Sequence, residues 1–312
     1  MNILKMELTE MDIKNKKTIK LVTHDGSFHS DDIFATAALF IMLGKKEENF
    51  EIIRTRDPEI INKGDYVFDV GGIYDEKTNR FDHHQKGGAG KRSNNIEYSS
   101  FGLIWKKFGK EISGSEKEAE LVEKRLVAPI DADDNGFDLV ENKYDISPYF
   151  IQHFFYSMRP TWSETDLSQD EMFFKCVKIA KEVLLREIIQ ARDSVLAEEK
   201  VVLIYQNTKD KRIIILDENY SYEDILTDFL EPLFVVYPRK SDNSWGMRAM
   251  RKSTKIFENR KNLPKSWAGL RDEELQKITG VKDAIFCHKA LFMAVAKTKE
   301  GAVKLAELAL SV

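Results

Sequence analysis

Three short apolar runs, Thr18–Thr23 (TIKLVT), Glu51–Thr55 (EIIRT) and Asp65–Val70 (DYVFDV), are each followed by chemically rich residues, and a helix-length apolar stretch, Ile33–Leu43, separates the first two. Brief runs of β-branched and aromatic residues read as strands. Strands alternating with helices predict a parallel sheet with helices on both faces, because a parallel pair needs a crossover between its members. This pattern constrains the chain more than any other feature. In such sheets ligands gather beyond the carboxyl ends of the strands, and His24, Arg54, Arg56 and Asp69 all fall there.

Further along, Ser99 and Ser100 are placed to cap a helix through Leu103–Phe108, and Glu116–Ile130 reads as another. Ser168 with Glu171 forms a capping box. Phe173, Val177, Ala180, Leu184, Ile188, Ala191 and Val195 follow at helical spacing. The long helix they predict, over residues 168–198, bridges two domains. Strands are expected at Val201–Tyr205, Ile213–Leu216, Leu233–Tyr237 and Gly246–Met250, and a helix at Gly301–Leu310. The expected organisation is a frayed terminus (1–17), an α/β domain (18–198) and a smaller α+β domain (199–312) with a mixed or antiparallel sheet.

At 312 residues the chain exceeds what one core usually serves. Its longest apolar run is about half the length of a membrane crossing, and Met1–Lys17 is polar, so neither a membrane span nor a leader is expected. Cys176 and Cys287 make no disulfide framework, which suits a reducing cytoplasm. The net charge of −4 hides a basic stretch, Arg239–Lys265, with nine Lys/Arg against two acids. Such a stretch is either a solvated face or a surface for a polyanion.

The chemistry concentrates in four turns: "THDGSFHSDD" (Thr23–Asp32), Asp69 before two glycines, "DHH" (Asp82–His84) and "IDADDNG" (Ile130–Gly136). They hold four of the six histidines. Imidazole and carboxylate together suit Mn²⁺, Zn²⁺ or Fe²⁺, whereas carboxylates alone favour Mg²⁺ or Ca²⁺. Any one turn is an ordinary loop or cap; four on one side of a predicted sheet point to a metal site. "GGAGKRS" (Gly87–Ser93) is not a phosphate-binding P-loop, since Gln85 stands at the required first glycine and Arg92 follows the lysine. It reads instead as a glycine-rich flap.

"DHH" after a strand-end Asp resembles the DHH phosphoesterase superfamily. More closely, "THDGSFHSDD", "RTRDP" (Arg54–Pro58), "DVGGIYD" (Asp69–Asp75), "RFDHHQ" (Arg80–Gln85), "SSFGLIWKKFG" (Ser99–Gly109), "DADDNG" (Asp131–Gly136), "RPTW" (Arg159–Trp162), "WAGLRDEEL" (Trp267–Leu275) and the segment Phe286–Ala306 resemble, collinearly, the MYG (melanocyte proliferating gene) family. The resemblance implies a DHH-type N-terminal domain. It implies metal ligation by His24, His29, Asp31, Asp69 and His83, with Asp69 bridging two ions. The fourth motif offers Asp131 or Asp134, with Asp131 favoured. His29 stands where relatives outside the MYG group usually carry Asp, one residue further from His24. Asp82 is expected to orient an imidazole and His84 to touch phosphate. Arg54, Arg56, Gln85, Arg248 and His288 are the candidate substrate contacts. Leu291-Phe292-Met293 departs from the small residues of many relatives and alters the expected pocket.

The implied activity is a metal-dependent phosphodiesterase, a 3′-to-5′ exonuclease on RNA or short oligonucleotides, using two divalent ions, Mn²⁺ foremost with Mg²⁺, Zn²⁺ or Fe²⁺ as substitutes. Two alternatives stand beside it: a phosphatase or pyrophosphatase of small molecules, and a non-catalytic RNA-binding or regulatory protein. Expected partners are the nucleic-acid substrate and, as the candidate assembly, a second copy in a homodimer; no membrane partner is expected.

Overall fold

The computed structural model describes residues 17–46 and 48–312, so all but Lys17 of the expected frayed terminus lies outside it. The chain divides into two compact units between Ala191 and Arg192.

Unit 1 runs through β1 (Ile19–Thr23), α1 (Ser30–Lys45), β2 (Phe50–Arg54), α2 (Pro58–Asn62), β3 (Tyr66–Phe68), β4 (Tyr74–Asp75), β5 (Arg80–Phe81), α3 (Ser100–Ser113), α4 (Glu116–Val122), α5 (Ala128–Asp134) and α6 (Ile151–Ser157). The sheet order is β2-β1-β3-β5-β4. All neighbours are parallel except β4 and β5. The period-2 alternation of strands splits the apolar residues between two faces. Leu21, Phe68 and Phe81 join the main core with Phe34, Phe101 and Phe155, while Val22 and Val67 pack on the other face with Ile61 of α2. The sheet is therefore covered on both sides, as the sequence pattern requires.

Ser99 precedes α3, but its side chain does not cap it. Asp31 does so instead, its carboxylate accepting from the backbone N–H groups of Ser100 (3.1 Å) and Phe101 (2.6 Å). Between α4 and α5 the helix passes through a π turn, Glu123–Val127, an irregularity often found next to functional residues.

The bridging helix α7 (Gln169–Asn207) extends past the expected end. The predicted strand Val201–Tyr205 is thus helical, because Ala197, Val201 and Tyr205 share one helical stripe that packs into the second unit's core. Intrinsic β preference is weak against such burial. The stripe also shifts phase after Ala191, where Ser194 rather than Val195 is buried.

Unit 2 continues through β6 (Ile213–Ile215), α8 (Glu223–Thr227), β7 (Phe234–Arg239), β8 (Ser244–Ala249), α9 (Asp272–Thr279), β9 (Ala284–Cys287), β10 (Met293–Ala296) and α10 (Lys299–Ser311). Its mixed sheet, ordered β6-β7-β8-β10-β9, is parallel only between β6 and β7. Phe234, Val236, Met247 and Ala294 pack with Leu275 of α9 and Leu305 of α10, while Val235 and Tyr237 pack on the opposite face with Val201. Thr298 caps α10, accepting from the Gly301 N–H at 3.0 Å while donating to Asp283 at 2.6 Å. Thr298→Ala is expected to cost about 1 kcal/mol in urea unfolding; an unchanged midpoint would show the cap to be idle.

The basic stretch is less open than its composition implies. Arg239, Lys240, Arg248 and Lys252 pair with Asp242, Glu218, Glu223 and Glu258. Arg260 donates to the carbonyls of Thr227, Phe229 and Pro232, and Lys261 to that of Leu310. Most of its positive charge is therefore committed locally.

Candidate metal centre

The four turns converge in unit 1. His24 follows β1 and is 3% exposed, with Nε2 lying 3.2 Å from Asp32 Oδ2 and 3.3 Å from Asp69 Oδ2. Asp69 follows β3 in the left-handed region, φ +56°, a conformation that short polar side chains tolerate. Its other oxygen faces the Nδ1 atoms of His83 at 3.9 Å and His84 at 3.6 Å. His83 Nε2 lies 3.0 Å from Asp134 Oδ2.

Among the described residues, three groups place their ligand atoms within 4.8 Å of one another: Asp69, Asp82, His83 and His84; His24, His29 and Asp69; and Asp31, His83 and Asp134. Asp69 belongs to two of them and His83 to two, so the groups overlap as one chain of donors.

The donor chemistry passes a direct test of fit to a cation. Asp69 Oδ1 is buried with no hydrogen-bond partner, and His24 Nε2 and Asp32 Oδ2 face each other at 3.2 Å without hydrogen-bond geometry. One imidazole is thus left to balance several buried carboxylates, an arrangement that favours a further cation. Burial disfavours the charged His24 ring, yet the neighbouring Asp32 and Asp69 carboxylates outweigh it and push its pKa up to about 10. His83 is likewise pushed up to about 9, burial being overcome by Asp134, Asp31 and Asp69. Burial together with the charges of Asp134 and Asp69 drives Asp31 well above the usual carboxylate range. Asp69 moves the other way: burial is outweighed by His24 and then by His83 and His84, which hold its carboxyl below the usual range. The locus stabilises positive charge, as a divalent-ion site of mixed oxygen and nitrogen donors should.

The two aspartates of the fourth motif separate clearly. Asp131, fully buried, accepts from Arg92 Nη2 at 2.6 Å, Ser99 Oγ at 2.5 Å and the Gly102 N–H at 3.1 Å. Ser99 Oγ also lies 2.5 Å from Asp31. Burial pushes the Asp131 carboxyl up to about 7. Asp131 is thus occupied with Arg92, and it is Asp134, on the next helical turn, that faces His83. The leaning towards Asp131 as ligand does not fit this geometry.

Asp82 accepts from His84 Nδ1 at 2.7 Å and from the Gly72 N–H at 2.5 Å. The Asp82 bond raises the pKa of His84, whose side chain is 62% exposed. Gln85 donates to the Gly88 carbonyl at 2.9 Å, folding the glycine-rich turn onto itself. Arg54, an expected substrate contact, is only 2% exposed and is spent on Asp170 and the Gly26 carbonyl. Arg56 is exposed and pairs with Asp25 at 3.3 Å. In unit 2, Arg248 pairs with Glu223 and lies 5.6 Å from the Phe292 ring, which packs tilted against His288 with the ring centres 4.3 Å apart.

Sequence reasoning gave no role in the site to Arg92 or Ser99, read as a loop residue and a helix cap, and counted Asp32 in the first cluster without naming it a ligand. Arg92 lies 39 residues from Asp131, with no local signal of the pairing.

A family model described as an uncharacterised protein family (UPF0160), MYG1_exonuc, matches residues 20–310. The human protein named MYG1 exonuclease is 28% identical, over 94% of this chain and 86% of its own. The MYG1 protein of Chlamydia pneumoniae is 32% identical, over 92% and 95%. Among solved structures, RecJ from Thermus thermophilus in complex with Mn²⁺ covers 94% of this chain and 52% of its own, at 14% identity and a TM-score of 0.28. With the family model and these relatives spanning nearly its whole length, the chain belongs to the MYG1 exonuclease family, UPF0160.

Proposed function

We propose that the protein is a divalent-metal-dependent phosphodiesterase that degrades RNA or short oligonucleotides as a 3′-to-5′ exonuclease. The observation that carries this reading is Asp69, shared by two overlapping groups of donors, with a buried oxygen that has no hydrogen-bond partner. The relatives named exonuclease support it.

In this reading His24, His29, Asp31, Asp69, His83 and Asp134 hold two ions, Mn²⁺ being the best match to the donor set. Bound ions of this kind lower the pKa of a shared water and clamp the phosphoryl oxygens. The chain's own residues do the rest. Asp82 fixes His84 through Nδ1, leaving Nε2 to donate to a phosphoryl oxygen or to the leaving oxygen. Asp131 and Arg92 lock the helix that presents Asp134. Arg56 and Gln85 are the remaining candidates for phosphate contact in unit 1, and Arg248 and His288 are the candidates within unit 2.

The test is an end-labelled RNA oligonucleotide with Mn²⁺, run beside pyrophosphate and mononucleotides. Stepwise shortening from the 3′ end, abolished by chelation, is expected. Asp134→Asn should lower the rate by about 10²-fold or more, whereas Asp131→Asn should act mainly by lowering the melting temperature. Turnover of pyrophosphate with the oligonucleotide intact would overturn the proposal.

A further inference from the structure

Two arginines grip the loop between β1 and α1 from behind. The loop, His24 to His29, carries two of the proposed ligands, and its Gly26 is left-handed at φ +82°. Arg54 donates from Nη2 to the Gly26 carbonyl at 2.8 Å, with its guanidinium 4.4 Å from the Phe173 ring. Arg159, half-buried after α6, donates to the Phe28 carbonyl from both Nε (2.7 Å) and Nη2.

Arg159 does more than close that loop. Its guanidinium lies over the Tyr156 ring at 4.4 Å, and the Tyr156 hydroxyl donates to Asp133 Oδ2 at 3.0 Å. Asp133 directly precedes Asp134, the carboxylate facing His83. An unbroken set of contacts therefore runs from His29 and Phe28 through Arg159 and Tyr156 to Asp133 and Asp134. Phe28 of the first ligand turn and Asp133 of the fourth, more than 100 residues apart in sequence, are thus linked through two side chains, Arg159 and Tyr156.

We propose that Arg159, acting through Tyr156, is a positioning residue that holds the first and fourth ligand turns in register for metal binding. This rests on the metal-centre reading above. Carboxylates crowded at Asp31, Asp32, Asp69 and Asp134 repel one another, so their spacing must be imposed from outside the cluster. A planar guanidinium can send two N–H groups to one carbonyl while its face covers an aromatic ring; a lysine cannot do both. Outer residues that orient ligands typically control metal affinity by about 10–100-fold.

The experiment is a Mn²⁺ titration of the full chain followed by electron paramagnetic resonance of the free ion, with melting of the chelated protein in parallel. Arg159→Met should weaken Mn²⁺ binding by about tenfold or more. Arg159→Lys should fall between it and the parent, and Tyr156→Phe should weaken binding while keeping the ring stack. Mn²⁺ affinity within about twofold of the parent in Arg159→Met, even with a lower melting point, makes the residue merely structural and overturns the inference. If Arg159→Met does not fold, Tyr156→Phe decides by the same criterion. A parent chain that takes up no Mn²⁺ brings down the metal-centre reading and this inference together, whereas a binding parent with unaffected variants overturns only this one.

Discussion

Asp69→Asn should reduce cleavage of a labelled RNA oligonucleotide by about 10³-fold with the fold intact. The magnitude follows from removing one charged donor shared by two groups, worth several kcal/mol of transition-state stabilisation at tenfold per 1.4 kcal/mol. The choice of asparagine is deliberate. Asp69 sits at φ +56°, where asparagine is tolerated and alanine is strained. The amide keeps the shape and removes the charge that His24, His83 and His84 all face. Circular dichroism should therefore be unchanged while turnover collapses. If the variant keeps more than about a tenth of the parent rate, Asp69 is not a bridging ligand.

Gly102→Ala should be among the most destabilising single-methyl additions in the protein. In an exposed helix the change gains about 1 kcal/mol. Here the new Cβ would lie 1.7 Å from Asp131 Oδ2 and 2.9 Å from Arg92 Nη2. Asp131 would have to swing away, breaking its bonds to Ser99 and Arg92 and leaving charge buried without a partner. Overpacking together with a broken buried pair predicts a loss of about 3 kcal/mol or more in urea unfolding. Gly44→Ala, in α1 with nothing within 4 Å of the new Cβ, is the control and should be neutral or slightly stabilising. Equal effects at the two glycines would mean that the Asp131 cluster gives way easily.

The strand-and-helix alternation and the ligand turns were legible for a common reason: both depend on short-range pattern. Strand ends and their polar turns follow from local periodicity, so His24, Asp69 and His83 could be placed on one side of a sheet before any coordinates. What was not legible depends on partners distant in the chain. The fate of Arg54 is set by Asp170, 116 residues away, and by a carbonyl that turns towards it only in the folded loop. The choice between Asp131 and Asp134 is set by Arg92, itself invisible as a partner. Val201–Tyr205 looked like a strand because Val201, Val202, Ile204 and Tyr205 favour β structure, but three of these, Val201, Ile204 and Tyr205, share a helical face that has a core to enter.

The π turn at Glu123–Val127 has a consequence for how this sequence can change over time. One residue fewer there would restore a regular α-helical ladder and make the segment locally easier to form. Because a π turn takes up its extra residue within the widened turn, the helical turns that carry Asp131 and Asp134 would keep their facing without it. Length at this one turn is therefore open to change, whereas Glu123, which pairs with Arg92, and the buried Leu126 and Val127 are tied to what they touch.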